Sequence, residues 1–181
     1  MLLSICIPTR NHAESLRASL MSIVSQKEFA NRNDIEIVVS DNASTDCTQR
    51  IVDSVAQNFR SKIIYKRNLK NHFDSNFEIA LNHGRGDFLK LANDSLQWQS
   101  GSLAKLIDVV EATKDTKPQL VFTNTNAETD DLALVKNADE LLKSASYHLT
   151  WIGSFGIWKS DLDELDDFSR HASLNLIVVD V

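Results

Sequence analysis

The chain has 181 residues, 43% of them hydrophobic, and carries 25 acidic against 19 basic residues for a net charge of −6. This is enough apolar material for one cored domain, or for one domain and part of another. The acidic balance excludes a general nucleic-acid binder, which shows a basic face, but leaves room for a nucleotide held by a few local contacts. The two cysteines, Cys6 and Cys47, form neither a disulfide framework nor a cluster with zinc spacing, so a reducing cytoplasm is the default reading. Met1-Leu2-Leu3 leads straight into a short strand without a basic leader, and no apolar run approaches the roughly 20 residues needed to span a bilayer.

Leu2 to Ile7 is an apolar run that stops at Pro8, where the missing amide should end the strand. Asn11 and Glu14 have capping-box spacing, and Leu16, Leu20, Ile23 and Val24 recur at helical intervals, predicting a helix from Ala13 to Gln26. Lys27 to Asp34 reads as a loop. Ile35 to Val39 is β-branched and apolar, reads as a strand buried on both faces, and breaks into Ser40-Asp41-Asn42 and further small and acidic residues to Asp46. Thr45 or Asp46 is placed to cap a second helix whose apolar face is Ile51, Val52, Val55 and Phe59. Lys62 to Lys66 is a third strand.

Ser75 and Glu78 repeat the capping-box spacing, Phe73, Phe77, Ala80 and Leu81 mark an apolar stripe, and Gly84 or Gly86 is the expected stop. Asp87 to Ala92 is a fourth strand and runs into Asn93-Asp94-Ser95. A helix over Gly101–Ala112 and a fifth strand over Gln119–Phe122 follow. The order βαβαβαβαβ predicts an α/β fold: a mostly parallel sheet with helices on both faces and right-handed crossovers. Later in the chain a helix near Ala138 to Ser144 and a strand near Ser154 to Trp158 are expected.

The chemistry collects at three strand ends. Pro8-Thr9-Arg10-Asn11 offers a rigid turn, a hydroxyl, a guanidinium and an amide. Asp41 and Asn42 can read a base or ribose edge, and Asp94 can hold a divalent cation, since magnesium or manganese on a diphosphate needs only one or two protein carboxylates. Ligands in open α/β sheets bind at the carboxyl ends of the strands. No glycine-rich phosphate loop occurs, so phosphate charge falls to a metal or to Arg10, Lys66, Arg67 or Lys70.

SICIPTRN, EIVVSDNASTD and the segment that ends in GDFLKLANDS together resemble the donor-binding half of family 2 glycosyltransferases of the bacterial surface-polysaccharide type. The resemblance covers roughly residues 2–125. It implies a GT-A, Rossmann-like three-layer α/β/α fold, with 1–125 as the nucleotide-sugar half and 126–181 as a partial acceptor-side half, short for the family. It implies transfer of a sugar, with inversion, from a nucleotide diphosphate to a saccharide or lipid-linked acceptor at the inner face of the membrane. Pro8, Thr9 and Asp41 would seat base and ribose, with Arg10, Asn11, Asn42 and Asn93 beside them. Asn71 and Asn76 would line the donor site, and Asp94 would hold Mn or Mg.

The family's acidic D-x-D motif falls either on Asp94-Ser95-Leu96 or on Asn93-Asp94-Ser95, and one aspartate remains in both registers. The departure bears on metal dependence and on turnover, so the alternative function is a non-catalytic nucleotide-sugar-binding module. An inverting transfer also needs a base for the acceptor hydroxyl. The candidates are Asp161, Asp163, Glu164, Asp166, Asp167 and Asp180, set against the plainer reading of 161–167 as a solvated acidic face. His12, His72, His83, His148 and His171 read as loop or surface residues. Trp98, Trp151 and Trp158 read as packing residues, and Cys6 as a small buried hydrophobe.

Overall fold

The computed structural model describes residues 1–118, 120 and 152–165. Four strands, β1 (Leu3–Thr9), β2 (Ile35–Asp41), β3 (Ile63–Arg67) and β4 (Phe88–Leu91), lie parallel, and β5 (Gly156–Trp158) pairs antiparallel to β4. The spatial order is β3-β2-β1-β4-β5. The expected strand at Gln119–Phe122 and helix at Ala138–Ser144 lie outside the described residues. The fifth strand described here is the later segment, and its direction is the one departure from a parallel sheet.

Side-chain alternation builds two cores. Odd positions of β1 and β2 (Leu3, Ile5, Ile7, Ile35, Ile37, Val39) face one layer. That layer is made by α1 (Ala13–Val24), α3 (Thr48–Ala56) and α5 (Ser102–Thr113). Cys6, Val38, Leu89 and Leu91 face the other layer, α4 (Ser75–Asn82) and α6 (Lys159–Glu164), through Ala80, Leu81 and Leu162. The result is the expected three-layer α/β/α arrangement. The second face is partly polar. Glu36 is fully buried there, accepting from the Ser4 hydroxyl at 2.7 Å and from the Arg85 guanidinium at 2.8 and 2.5 Å. Gly86 packs so tightly on this strand that an added Cβ would stand 2.5 Å from the Ser4 amide nitrogen.

Three local expectations change. β1 runs through Pro8 to Thr9. The Thr9 carbonyl accepts from Asn42 N on the β2 side, so Pro8 turns toward β4, whose ladder has already ended at Leu91 opposite Cys6. The Lys27–Asp34 loop contains a short helix, α2 (Lys27–Asn31), anchored by fully buried Phe29 and stacked edge-on against Phe59 at 5.3 Å. Lys62 Nζ donates to the Phe29 carbonyl at 2.6 Å and to that of Arg32, closing its C-terminus. Neither capping box forms: α1 begins after His12 and α4 after Asp74, neither with a side-chain cap of its own.

The start of α1 is capped from elsewhere. Asp46 Oδ2 accepts from the Ala13 amide at 3.1 Å, while its Oδ1 accepts from the Thr48 amide at 3.0 Å. One carboxylate thus serves the first turns of α1 and α3, where unpaired amides favour negative charge. Burial pushes its pKa upward, but the bonds from Thr48 and Ala13 outweigh that and hold it below the usual carboxylate value.

Candidate functional site

The carboxyl ends of β1, β2 and β4 sit side by side because the order β2-β1-β4 makes them neighbours in one parallel sheet. Above them opens a cleft of about 470 Å³ lined by Pro8, Thr9, Arg10, His12, Asn42, Phe73, Asn76, Phe77, Asn93 and Asp94. Seven of the ten residues expected from sequence to bind donor or metal are on this wall. Asn11, Asp41 and Asn71 are not among its lining residues.

Asp94 is the centre of one side. It is 7% exposed. Its Oδ2 accepts from the Thr9 hydroxyl at 2.7 Å and lies 3.2 Å from His12 Nδ1, and its Oδ1 accepts from the Ser95 hydroxyl at 3.0 Å. His12, read from sequence as a loop residue, is therefore a site residue. It stands in the loop after β1, and β4 supplies its partner 82 positions away.

The other side is an asparagine brace. Asn42 Nδ2 donates to Asn71 Oδ1 at 2.7 Å, and Asn42 Oδ1 accepts from the His72 amide at 2.7 Å. Asn76 is buried. Its Oδ1 accepts from the Ser40 hydroxyl at 2.7 Å and its Nδ2 donates to the Ser40 carbonyl at 3.0 Å. Asn76 borders the cleft, but both ends of its amide hold α4 to β2. Asn11 takes a left-handed backbone (φ 55°) and accepts from the Thr45 amide at 2.7 Å, lacing the loop after β1 to the loop after β2.

Asp41 is 1% exposed. Its Oδ1 accepts from the Ser44 amide at 2.8 Å and its Oδ2 from the Tyr65 hydroxyl at 2.5 Å, with Arg67 Nε 3.9 Å away. Burial first, and the bond to Asp41 second, push the Tyr65 phenol pKa well up, so the phenol stays a donor. The carboxylate shapes the 42–46 loop from beneath. Of the cations expected to meet phosphate, Arg10 lines the cleft, Arg67 is tied to the Ser44 carbonyl at 2.7 Å, and Lys66 and Lys70 are exposed off the wall.

The candidate bases among the described residues do not join this site. β5 runs antiparallel, so Trp158 at its end pairs with Phe88 at the start of β4, and α6 begins beside Asp87. Asp161, Asp163 and Glu164 therefore lie at the sheet edge opposite the cleft. Asp163 ion-pairs with Lys159 at 2.9 Å, and Asp161 accepts from Ser160 at 3.1 Å. The solvated-face reading describes these residues. Asp166, Asp167 and Asp180 lie outside the described residues. Trp158 is a core residue and Cys6 is fully buried, as expected.

Among the described residues no three acidic, histidine or cysteine side chains converge as a metal cage. The donor set at Asp94 is one carboxylate with an imidazole beside it. A carboxylate has about four lone-pair sites, so the Thr9 and Ser95 bonds leave it acceptor capacity. It fits a hard cation shared with diphosphate oxygens.

A mostly parallel α/β sheet with a cleft across the carboxyl ends of its strands is the arrangement in which open α/β folds bind ligands. The chain belongs to glycosyl transferase family 2, whose profile matches residues 4–176. It is 43% identical over 104 residues to the abequosyltransferase RfbV of Salmonella typhimurium, covering 53% of this chain and 31% of that one. It is 31% identical over 106 residues to the GalNAc(5)-diNAcBac-PP-undecaprenol beta-1,3-glucosyltransferase of Campylobacter jejuni, covering 58% and 33%. The chain thus spans about a third of the length of these relatives. Its fold is similar to that of the mannosyltransferase PcManGT from Pyrobaculum calidifontis, solved with GDP-Man and Mn2+. That match has a TM-score of 0.66 at 19% identity, over 92% of this chain and 47% of that one. S. aureus TarS matches with a TM-score of 0.68 at 19% identity, over 92% and 30%. No helix among the described residues is long and apolar enough to cross a membrane.

Proposed function

We propose that this chain supplies the donor site of a glycosyltransferase that moves a sugar, with inversion, from a nucleotide diphosphate to a saccharide or lipid-linked acceptor in surface-polysaccharide synthesis. The observation that carries the reading is the Asp94 carboxylate. The Thr9 hydroxyl holds it at 2.7 Å on the wall of a cleft built from three strand ends. Thr9, Pro8 and Asn42 border the space for the nucleotide, and Asp41 fixes the loop that carries Asn42 and Ser44. Asp94, with His12 beside it, would hold Mn or Mg. Bound there, the cation would offset diphosphate charge as the bond to the sugar breaks. Arg10 is the basic residue on the same wall among the described residues.

Residues 1–125 form the donor half and 126–181 part of the acceptor side. The name of the Campylobacter relative includes an undecaprenol-linked substrate, which supports a lipid-linked acceptor. The relatives are transferases by name, so the non-catalytic module is not favoured.

Calorimetry with UDP and GDP, with and without Mn2+, is the test, followed by a donor-hydrolysis assay. Nucleotide binding strengthened by Mn2+, with release of sugar, is the expected result. No binding of either nucleotide would overturn the reading, and binding without release would return it to the non-catalytic module.

A further inference from the structure

We propose that Phe73 is the platform on which the donor's nucleobase stacks, an inference that rests on the donor-site reading above. Phe73 was expected to begin the apolar stripe of α4. Instead it lies outside the helix, 76% exposed, and is among the residues lining the cleft. Its backbone is left-handed, φ 51°. For a bulky side chain that conformation is a genuine outlier, and such outliers persist where the surroundings over-determine them, often at ligand clamps.

The surroundings here are specific. The Phe73 amide donates to Asn71 Oδ1 at 2.9 Å, and its carbonyl accepts from Asn42 Nδ2 at 3.4 Å. Asn42 also takes the His72 amide at 2.7 Å and donates to Asn71 at 2.7 Å. Asn42 directly follows β2, so the brace ties Phe73 to the sheet as well as to its own loop, where the Asn76 amide also donates to the Phe73 carbonyl at 3.1 Å. The backbone of a residue whose large apolar ring stands in solvent is thereby fixed by polar bonds. Solvent exposure of this kind is relieved when a flat partner covers the ring.

The order of groups in the donor selects the partner. Phe73 and Asn42 belong to the β2 side of the cleft, whereas Asp94 lies in the turn after β4. Two strand spacings, roughly 10 Å, separate those ends, enough for a ribose to lie between. With the diphosphate at Asp94, the base falls on the Phe73 side and the transferred sugar lies beyond the diphosphate, away from the ring. Base–aromatic stacking tolerates any base, because each has a π face. Phe73 therefore adds affinity without choosing between uracil and guanine.

The test compares wild type, Phe73→Ala and Phe73→Trp in titrations with UDP, GDP and inorganic pyrophosphate. Phe73→Ala is expected to weaken the nucleotide that wild type binds by about ten-fold or more and to leave pyrophosphate affinity unchanged. Phe73→Trp should keep nucleotide affinity and add an indole emission that the nucleotide quenches. An unchanged melting temperature in Phe73→Ala is expected, because the ring is exposed. Equal nucleotide affinity in wild type and Phe73→Ala would overturn stacking alone. So would an equal loss for nucleotide and pyrophosphate. Wild type that binds neither UDP nor GDP would overturn the donor-site reading as well.

Discussion

The Thr9 hydroxyl donates to Asp94 Oδ2 at 2.7 Å across 85 positions of sequence, joining the end of β1 to the end of β4. This bond orients the one carboxylate on the cleft wall among the described residues. Asp94→Asn keeps the shape but loses the charge, and is expected to abolish any strengthening of UDP or GDP binding by Mn2+. Calorimetry with and without the metal measures it. A Mn2+ effect that survives would move the metal to another residue. Thr9→Val removes a bond to a charged acceptor, worth about 1.5–3 kcal/mol, with the lower figure expected because Ser95 and His12 remain.

His12 is 58% exposed in its side chain and touches both oxygens of Asp94, at 3.3 and 3.2 Å. Groups that orient a metal-binding side chain typically change metal affinity by about 10–100-fold. His12→Ala is expected to weaken Mn2+-dependent nucleotide binding by about ten-fold, at the low end of that range. The thermal midpoint should hardly move, since little packing is lost. Titration of Mn2+ followed by its paramagnetic signal reads the first quantity directly, and an unaltered Mn2+ affinity would reduce His12 to a bystander.

Asp46 joins the starts of α1 and α3, so Asp46→Ala leaves Ala13 and Thr48 amides without their partner. A lost cap costs about 1 kcal/mol. Solvent reaches this exposed carboxylate, so the two ends together are expected to cost about 1–2 kcal/mol in urea unfolding. The pKa of Asp46 is lowered in the folded state, so the unfolded chain binds the proton more readily. Its stabilisation is complete above the ordinary aspartate value of 3.8 and is lost as pH falls through the lower folded value. The stability difference between wild type and Asp46→Ala should therefore shrink below about pH 4. A constant difference across that window would point to packing rather than charge.

Glu36 and Arg85 test the polar patch beneath α4. Arg85→Ala strips the buried carboxylate of its guanidinium bonds, at 2.8 and 2.5 Å, and leaves it the Ser4 hydroxyl and the backbone amide of residue 85. Removing one partner of a buried pair costs about 3–5 kcal/mol. Because Arg85 itself is half-exposed and water can reach Glu36 in its absence, about 3 kcal/mol is expected. The double variant Glu36→Gln, Arg85→Ala should lose less than the sum of the singles. Strict additivity in chemical denaturation would show that the two do not interact.

The sequence determined what depends on neighbours along the chain. Short apolar runs, β-branched in β2 above all, placed β1 to β4, helical spacing placed α1, α3, α4 and α5, and polar breaks after β1, β2 and β4 marked the strand ends that form the cleft. Those signals are legible because burial imposes a period on consecutive residues. The tertiary structure decided what depends on residues far apart. Asp46 caps α1 from 33 positions away, His12 meets Asp94 from 82, and the brace that holds Phe73 outward starts at Asn42, 31 positions before it. The reversed direction of β5, which carries Asp161 and Asp163 to the opposite edge, belongs to the same class. A hydrogen bond between distant positions leaves no periodic trace in the chain, because its geometry exists only once the sheet has set which strand ends are neighbours.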